Sequence, residues 1–141
     1  MAGAVYLADT TVYVLRSQHQ VVRERFEQLL TDGRLAICQV VALEFLSNAR
    51  DPRTYEAVLS ALQGQRRMDV STAAMDRAMD VHRQLAARSQ HRNFRLPDLV
   101  IAATAELNGA TVLHYDEDYD RIAEITGQAT DWVAPRGSLS R

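Results

Sequence analysis

Four acidic side chains, Asp9, Glu44, Asp98 and Asp116, are the residues of this 141-residue chain whose types and placement best suit chemistry: each sits where a strand-like run ends or a helix begins. Two carboxylates held about 4 Å apart at an effective dielectric near 20 repel by roughly 4 kcal/mol, so several brought together need a cation. An oxygen-only donor set suits Mg²⁺ or Mn²⁺ better than zinc, which prefers nitrogen and sulfur. An ion so held lowers the pKa of water, polarises a phosphoryl oxygen and steadies a leaving oxyanion, and phosphodiester hydrolysis uses all three effects. In such a site Glu44 or Asp116 would orient or deprotonate the water. Arg92 and Arg95, just ahead of the Asp98 helix, would meet a flanking phosphate.

The elements that must position these acids are readable from local pattern. Val5-Tyr6-Leu7-Ala8 is a short apolar run that stops at Asp9-Thr10-Thr11, a helix-start signal. Leu35-Ala36-Ile37-Cys38 is a second run, followed by a helix over 39–48 that carries Glu44 near its second turn. Thr111-Val112-Leu113-His114 is a third, followed at once by Asp116-Glu117-Asp118. Asp98 follows Pro97 at the head of an apolar helix over 99–107, and proline is favoured at the first helical position. Short and longer helices are expected over 10–17 and 19–31. Another runs from Asp51-Pro52 to Gly64, and a long one is capped by Ser71. Residues 68–70 and 129–133 are strand candidates, and 119–126 a last helix closed by Gly127. If strands and helices alternate, the strands lie parallel with right-handed crossovers, and all four acids fall on the one sheet edge where ligands bind in open α/β folds. The expected architecture is a three-layer α/β/α sandwich around a mainly parallel sheet of four or five strands, in a single domain over 1–141.

Each acid also has a plainer reading. Asp9 is a natural helix cap and Asp98 favours the positive end of a helix, each worth roughly 1 kcal/mol, while Asp116 suits a turn and Asp118 the cap of the next helix. Glu44 resists such a reading, because it interrupts the apolar run Val40-Val41-Ala42-Leu43 and Phe45-Leu46, where an unpaired carboxylate is costly. Thr11, two positions after Asp9, is the better-placed hydroxyl to assist a metal site, with Thr10 as the other. His82 on an apolar helical face reads as a core or contact residue, Met75 and Met79 as core or dimer surface. His114 lacks a second histidine at ligand spacing.

Composition narrows the classes further. The net charge of −2 hides an asymmetry, since residues 66–95 carry seven arginines and residues 96–141 carry eight acids. All sixteen basic residues are arginine, which excludes an ordinary Walker A loop, a Schiff-base enzyme and a lysine-containing receiver domain. The lone Cys38, at the end of a buried run, reads as a small apolar residue. No leader or membrane-spanning stretch is evident, so a cytoplasmic, membrane-free protein is expected.

Taken together, Leu7-Ala8-Asp9-Thr10-Thr11-Val12, the Glu44 helix, the stretch from Leu96-Pro97-Asp98 to Thr104-Ala105, and Val112-Leu113-His114-Tyr115-Asp116-Glu117-Asp118-Tyr119 resemble the PIN-domain ribonucleases, and especially the VapC-like toxins. The resemblance spans nearly the whole chain in order, spacing and length. It implies Asp9 and Asp98 as the principal Mg²⁺ ligands, with Mn²⁺ as a substitute. The same resemblance implies that Glu44 and Asp116 complete the acidic pocket and that Asp118 assists. It also implies a homodimer, a cognate antitoxin whose tail occludes the pocket, and a tRNA, rRNA or mRNA substrate. Thr11 stands where serine or asparagine is frequent, and His114-Tyr115 replaces a threonine-containing pair, without loss of a carboxylate. The alternatives are a housekeeping PIN nuclease of RNA maturation and a non-catalytic PIN-fold binding module. A haloacid-dehalogenase-type phosphatase needs a second Asp where Thr11 stands.

Overall fold

A computed structural model describes residues 3–140. The chain runs β1 (Tyr6–Ala8), α1 (Thr10–Leu15), α2 (Gln20–Thr31), β2 (Leu35–Ile37), α3 (Gln39–Leu46), α4 (Pro52–Gln63), β3 (Arg66–Arg67) and α5 (Thr72–Ala87). A 3-10 turn (His91–Asn93) then leads into α6 (Leu96–Leu107), β4 (Thr111–His114), α7 (Asp118–Thr126) and β5 (Thr130–Trp132). The five strands form one sheet in the order β3-β2-β1-β4-β5, and every pairing is parallel.

That order follows from short strands that are apolar on both faces. Leu7 and Ala8 of β1, Leu35, Ala36 and Ile37 of β2, and Val112 and Leu113 of β4 are all buried, the mark of a parallel sheet covered on both sides. From β1 the chain moves outward to β2 and β3, then returns past β1 to β4 and β5. With right-handed crossovers this reversal puts α1 to α4 on one face and α5 to α7 on the other. The packing agrees: α1 lies on α2 and α3, and α3 on α4, while α5, α6 and α7 contact one another. The α/β/α layering expected from the sequence is therefore present, with five strands among the described residues, all paired in parallel.

The third strand differs from expectation. It is Arg66–Arg67, not residues 68–70, paired to Ala36 and Ile37. Met68 continues the ladder by one bond, its N–H donating to the Ile37 carbonyl at 2.9 Å, and then turns its side chain into the core. An edge strand needs only backbone pairing, so its exposed arginines carry no apolar signal, whereas Met68 does. Two helix starts also differ. Pro97 is the second residue of α6, which places Asp98 inside the first turn. Asp118 is the first residue of α7 and not its cap; Glu117 holds the N-cap position without a side-chain bond, and Asp116 Oδ1 accepts the Asp118 N–H at 3.0 Å.

The core is continuous around β1 and β4, and α6 contributes its most buried face through Leu99, Ile101, Ala102, Ala103 and Ala105. None of the helices among the described residues is long and apolar enough to cross a membrane. Leu113 is fully buried in β4, one residue before His114. Leu113→Ala is expected to cost about 2–5 kcal/mol of unfolding free energy, read from urea denaturation, because the centre of the sheet cannot collapse around the cavity.

Candidate functional site

The site forms where the strand order reverses, between the carboxyl ends of β1 and β4. This is the crevice that open parallel sheets leave for ligands. Asp9 leaves β1 as the N-cap of α1, and its carboxylate accepts the Thr10 N–H at 2.7 Å and the Thr11 N–H at 3.3 Å. The Thr11 hydroxyl donates to Asp9 Oδ2 at 2.6 Å and accepts the Tyr115 N–H at 3.2 Å, tying the end of β1 to the end of β4. Capping and site-building are thus the same act for Asp9.

Asp98 reaches the same point from the first turn of α6, with 2% of its surface exposed. Its Oδ1 accepts the Tyr119 hydroxyl at 3.4 Å, and its Oδ2 is buried without a hydrogen-bond partner. Asp116 follows β4, and its N–H donates to His114 Nδ1 at 3.1 Å. The imidazole is fully buried, packed against Tyr119 and Trp132, and burial pushes its pKa down, which leaves it neutral with the proton on Nε2. Glu44 comes from α3, where Thr10 Oγ1 donates to its Oε1 at 2.8 Å and Arg95 Nη2 pairs with its Oε2 at 2.6 Å.

These carboxylates converge in two overlapping groups. Oxygens of Asp9, Glu44 and Asp98 lie within 4.8 Å of one another, as do those of Asp98, Asp116 and Asp118. Asp98 belongs to both. A cavity of about 410 Å³ opens over them, with Asp9, Thr10, Thr11, Arg95, Asp98 and Asp116 in its wall. Of the residues expected at the site, all four principal acids, Thr11, Asp118 and Arg95 come together. Arg92 lies exposed on the 3-10 turn and is not part of the cavity wall.

The electrostatics are those of a charged cluster short of cations. Burial first, then the neighbouring Asp9 charge, pushes the Asp98 pKa up to about 7. Burial also raises Asp9, against hydrogen bonds from Thr11 and Tyr119 that favour its ionised form. Asp118 is raised by burial and then by Asp116. Arg95, held by its bond to Glu44, has a charge that reaches Asp98, Glu44 and Asp9 together. At 63% side-chain exposure its ion pair contributes no more than about 1 kcal/mol, too little to neutralise three acids. An orphaned buried carboxylate oxygen surrounded by other carboxylates fits a hard divalent cation.

Two participants escape a reading of single residues. Tyr119, fully buried, aims its hydroxyl at Asp98 and lies beside Asp9. The available signal was its place as the second residue of the helix that follows Asp116. Thr10 matters as much as Thr11, since its hydroxyl links the β1 end to α3 through Glu44.

Residues 6–125 match the PIN domain family. The chain is 42% identical over 137 residues to Ribonuclease VapC18 of Mycobacterium tuberculosis, a match covering 96% of this chain and 99% of that relative. The chain belongs to the PIN-domain VapC ribonucleases. A second relative of this VapC-family chain, Ribonuclease VapC51 of the same organism, is 39% identical over 95% of this chain and 96% of its own length. The fold of the family is seen again in the crystal structure of VapBC2 from Rickettsia felis bound to a DNA fragment from their promoter. There the TM-score is 0.73 at 17% identity, covering 91% of this chain and 98% of that one.

The raised Asp98 pKa has a definite sign. The fold favours the protonated carboxyl, so that contribution is complete below the ordinary value near 3.8 and is lost as pH rises toward about 7. In EDTA the VapC-family chain is expected to lose thermal stability between about pH 5 and pH 8, and Asp98→Asn to melt higher than the wild type at the upper end. Calorimetric melting curves at both pH values check this; a wild type that gains stability with pH would contradict it.

Proposed function

We infer that this VapC-family protein is a Mg²⁺-dependent endoribonuclease and the toxin of a toxin-antitoxin pair. The observation that carries the reading is the convergence of Asp9, Glu44, Asp116 and Asp118 on Asp98 in two overlapping groups, with one oxygen of Asp98 buried and without a hydrogen-bond partner. Asp9 and Asp98 are the principal ligands of Mg²⁺, with Mn²⁺ as a substitute, and Glu44 and Asp116 complete the pocket with Asp118 assisting. When bound, the ion supplies Lewis acidity toward a phosphoryl oxygen and makes water a better nucleophile.

The remaining work falls to the chain. Thr11, Tyr119 and the backbone N–H groups of Thr10 and Thr11 fix the carboxylates in place. Glu44 or Asp116 orients the attacking water and takes its proton, and Arg95 at the cavity wall binds a substrate phosphate. Family membership supports RNA as the substrate, since the relatives are named ribonucleases. A cognate antitoxin as partner accords with the structural neighbours, one of which is a toxin-antitoxin complex from Klebsiella pneumoniae, and a homodimer is the working form that the family resemblance implies.

Purified, antitoxin-free protein incubated with total cellular RNA and Mg²⁺ is expected to give discrete new 5′ ends that vanish with EDTA. Asp9→Asn or Asp98→Asn should lower the cleavage rate by at least about a hundredfold while the fold survives; undiminished cleavage in both variants would sink the assignment. Mg²⁺ binds only deprotonated ligands, so it should raise the melting temperature more at pH 8 than at pH 5. An equal shift at both values would count against the carboxylates as the binding site.

A further inference from the structure

Glu44 belongs to the acidic cluster by distance, yet it does not line the cavity; the two groups bonded to it, Thr10 and Arg95, stand in the wall instead. Both of its oxygens are occupied, Oε1 by the Thr10 hydroxyl at 2.8 Å and Oε2 by the Arg95 guanidinium at 2.6 Å. Asp98 Oδ2, buried a short distance away, has no partner at all. Asp98 is therefore open to a cation, and Asp9 is held only by uncharged donors, whereas Glu44 already has the Arg95 guanidinium as its counter-ion. Glu44 is 17% exposed at its side chain and fixed on α3, while Arg95 is 63% exposed and precedes the first turn of α6. Of the two partners only the arginine is free to swing away without disturbing the core.

Resting on the metal-nuclease reading above, we propose that Arg95 is a built-in, exchangeable counter-ion: it occupies Glu44 while the cluster is metal-free, and releases it when a divalent cation binds. Once released, the guanidinium stays tethered one residue before α6 at the cavity wall, where it meets an RNA phosphate. Its charge is thus used twice, first to restrain the acids and then to receive the polyanion. The two roles compete, because the Arg95 Nη2 that bonds Glu44 Oε2 cannot at the same time give that bond to a phosphate. The consequence is an ordered encounter: metal binding prepares the phosphate site.

The test is Mn²⁺ binding by isothermal calorimetry at pH 8 on antitoxin-free protein without RNA, comparing wild type, Arg95→Gln and Arg95→Lys. Arg95→Gln removes the competitor and is expected to bind Mn²⁺ several-fold more tightly. Arg95→Lys, which keeps a positive charge, should stay within about twofold of wild type. A merely structural role would weaken binding in Arg95→Gln, so the direction separates the two. At saturating Mn²⁺ the same Arg95→Gln should cleave RNA with lower kcat/KM, and the salt dependence of its RNA binding should fall by about one phosphate's share. Unchanged or weaker Mn²⁺ binding by Arg95→Gln overturns the exchange alone. Failure of the wild type to bind Mn²⁺ overturns the metal-nuclease reading and the exchange with it.

Discussion

Negative charges gathered in a protein interior repel one another, and the structure around the carboxyl ends of β1 and β4 is arranged to hold such charges together. At Asp9 and Asp98 burial favours the neutral acid, and at Asp98 the neighbouring Asp9 charge adds to it, so that its pKa rises to about 7. The groups that oppose this are mostly uncharged: backbone N–H groups at the start of α1, the Thr11 hydroxyl and the Tyr119 hydroxyl. Neutral donors fix the position of a carboxylate without cancelling its charge. The field needed to attract a cation therefore survives.

This constraint explains why the fold has its particular connectivity. Carboxylates from β1, α3, α6 and the β4–α7 turn come from positions far apart in the chain, and only a parallel sheet delivers all of those segments to one edge. The reversal of strand order beside β1 opens the crevice, and Thr11 keeps it from spreading by bonding to Asp9 on one side and Tyr115 on the other. His114, buried and neutral, supplies the acceptor that sets the backbone of Asp116. Much of what looks like local capping and turn chemistry is thus site construction.

The carboxylates were legible in the sequence because each interrupts a pattern: Asp9 and Asp116 end apolar strands, Asp98 follows a helix-starting proline, and Glu44 breaks an apolar helix. What was not legible lacks that contrast. Tyr119 is an aromatic residue on a helix with apolar neighbours, and its hydroxyl direction depends on how α7 packs against α6. The preference for Thr11 over Thr10 was incomplete, since the two hydroxyls turn to different acids once α3 is docked. Arg92 and Arg95 are near neighbours in sequence, but the 3-10 turn sends the first to the surface and the second to the cavity. The third strand was misplaced because a solvent-facing ladder leaves no hydrophobic trace.

That third strand has a consequence for life at high concentration. A sheet edge invites another chain to add a strand, and here the invitation is limited to two residues, both bearing exposed guanidinium groups. Pairing a second copy against Arg66–Arg67 would stack like charges along the new ladder. The edge thus acts as a gatekeeper against fibrous association, using side chains that contribute nothing to the core.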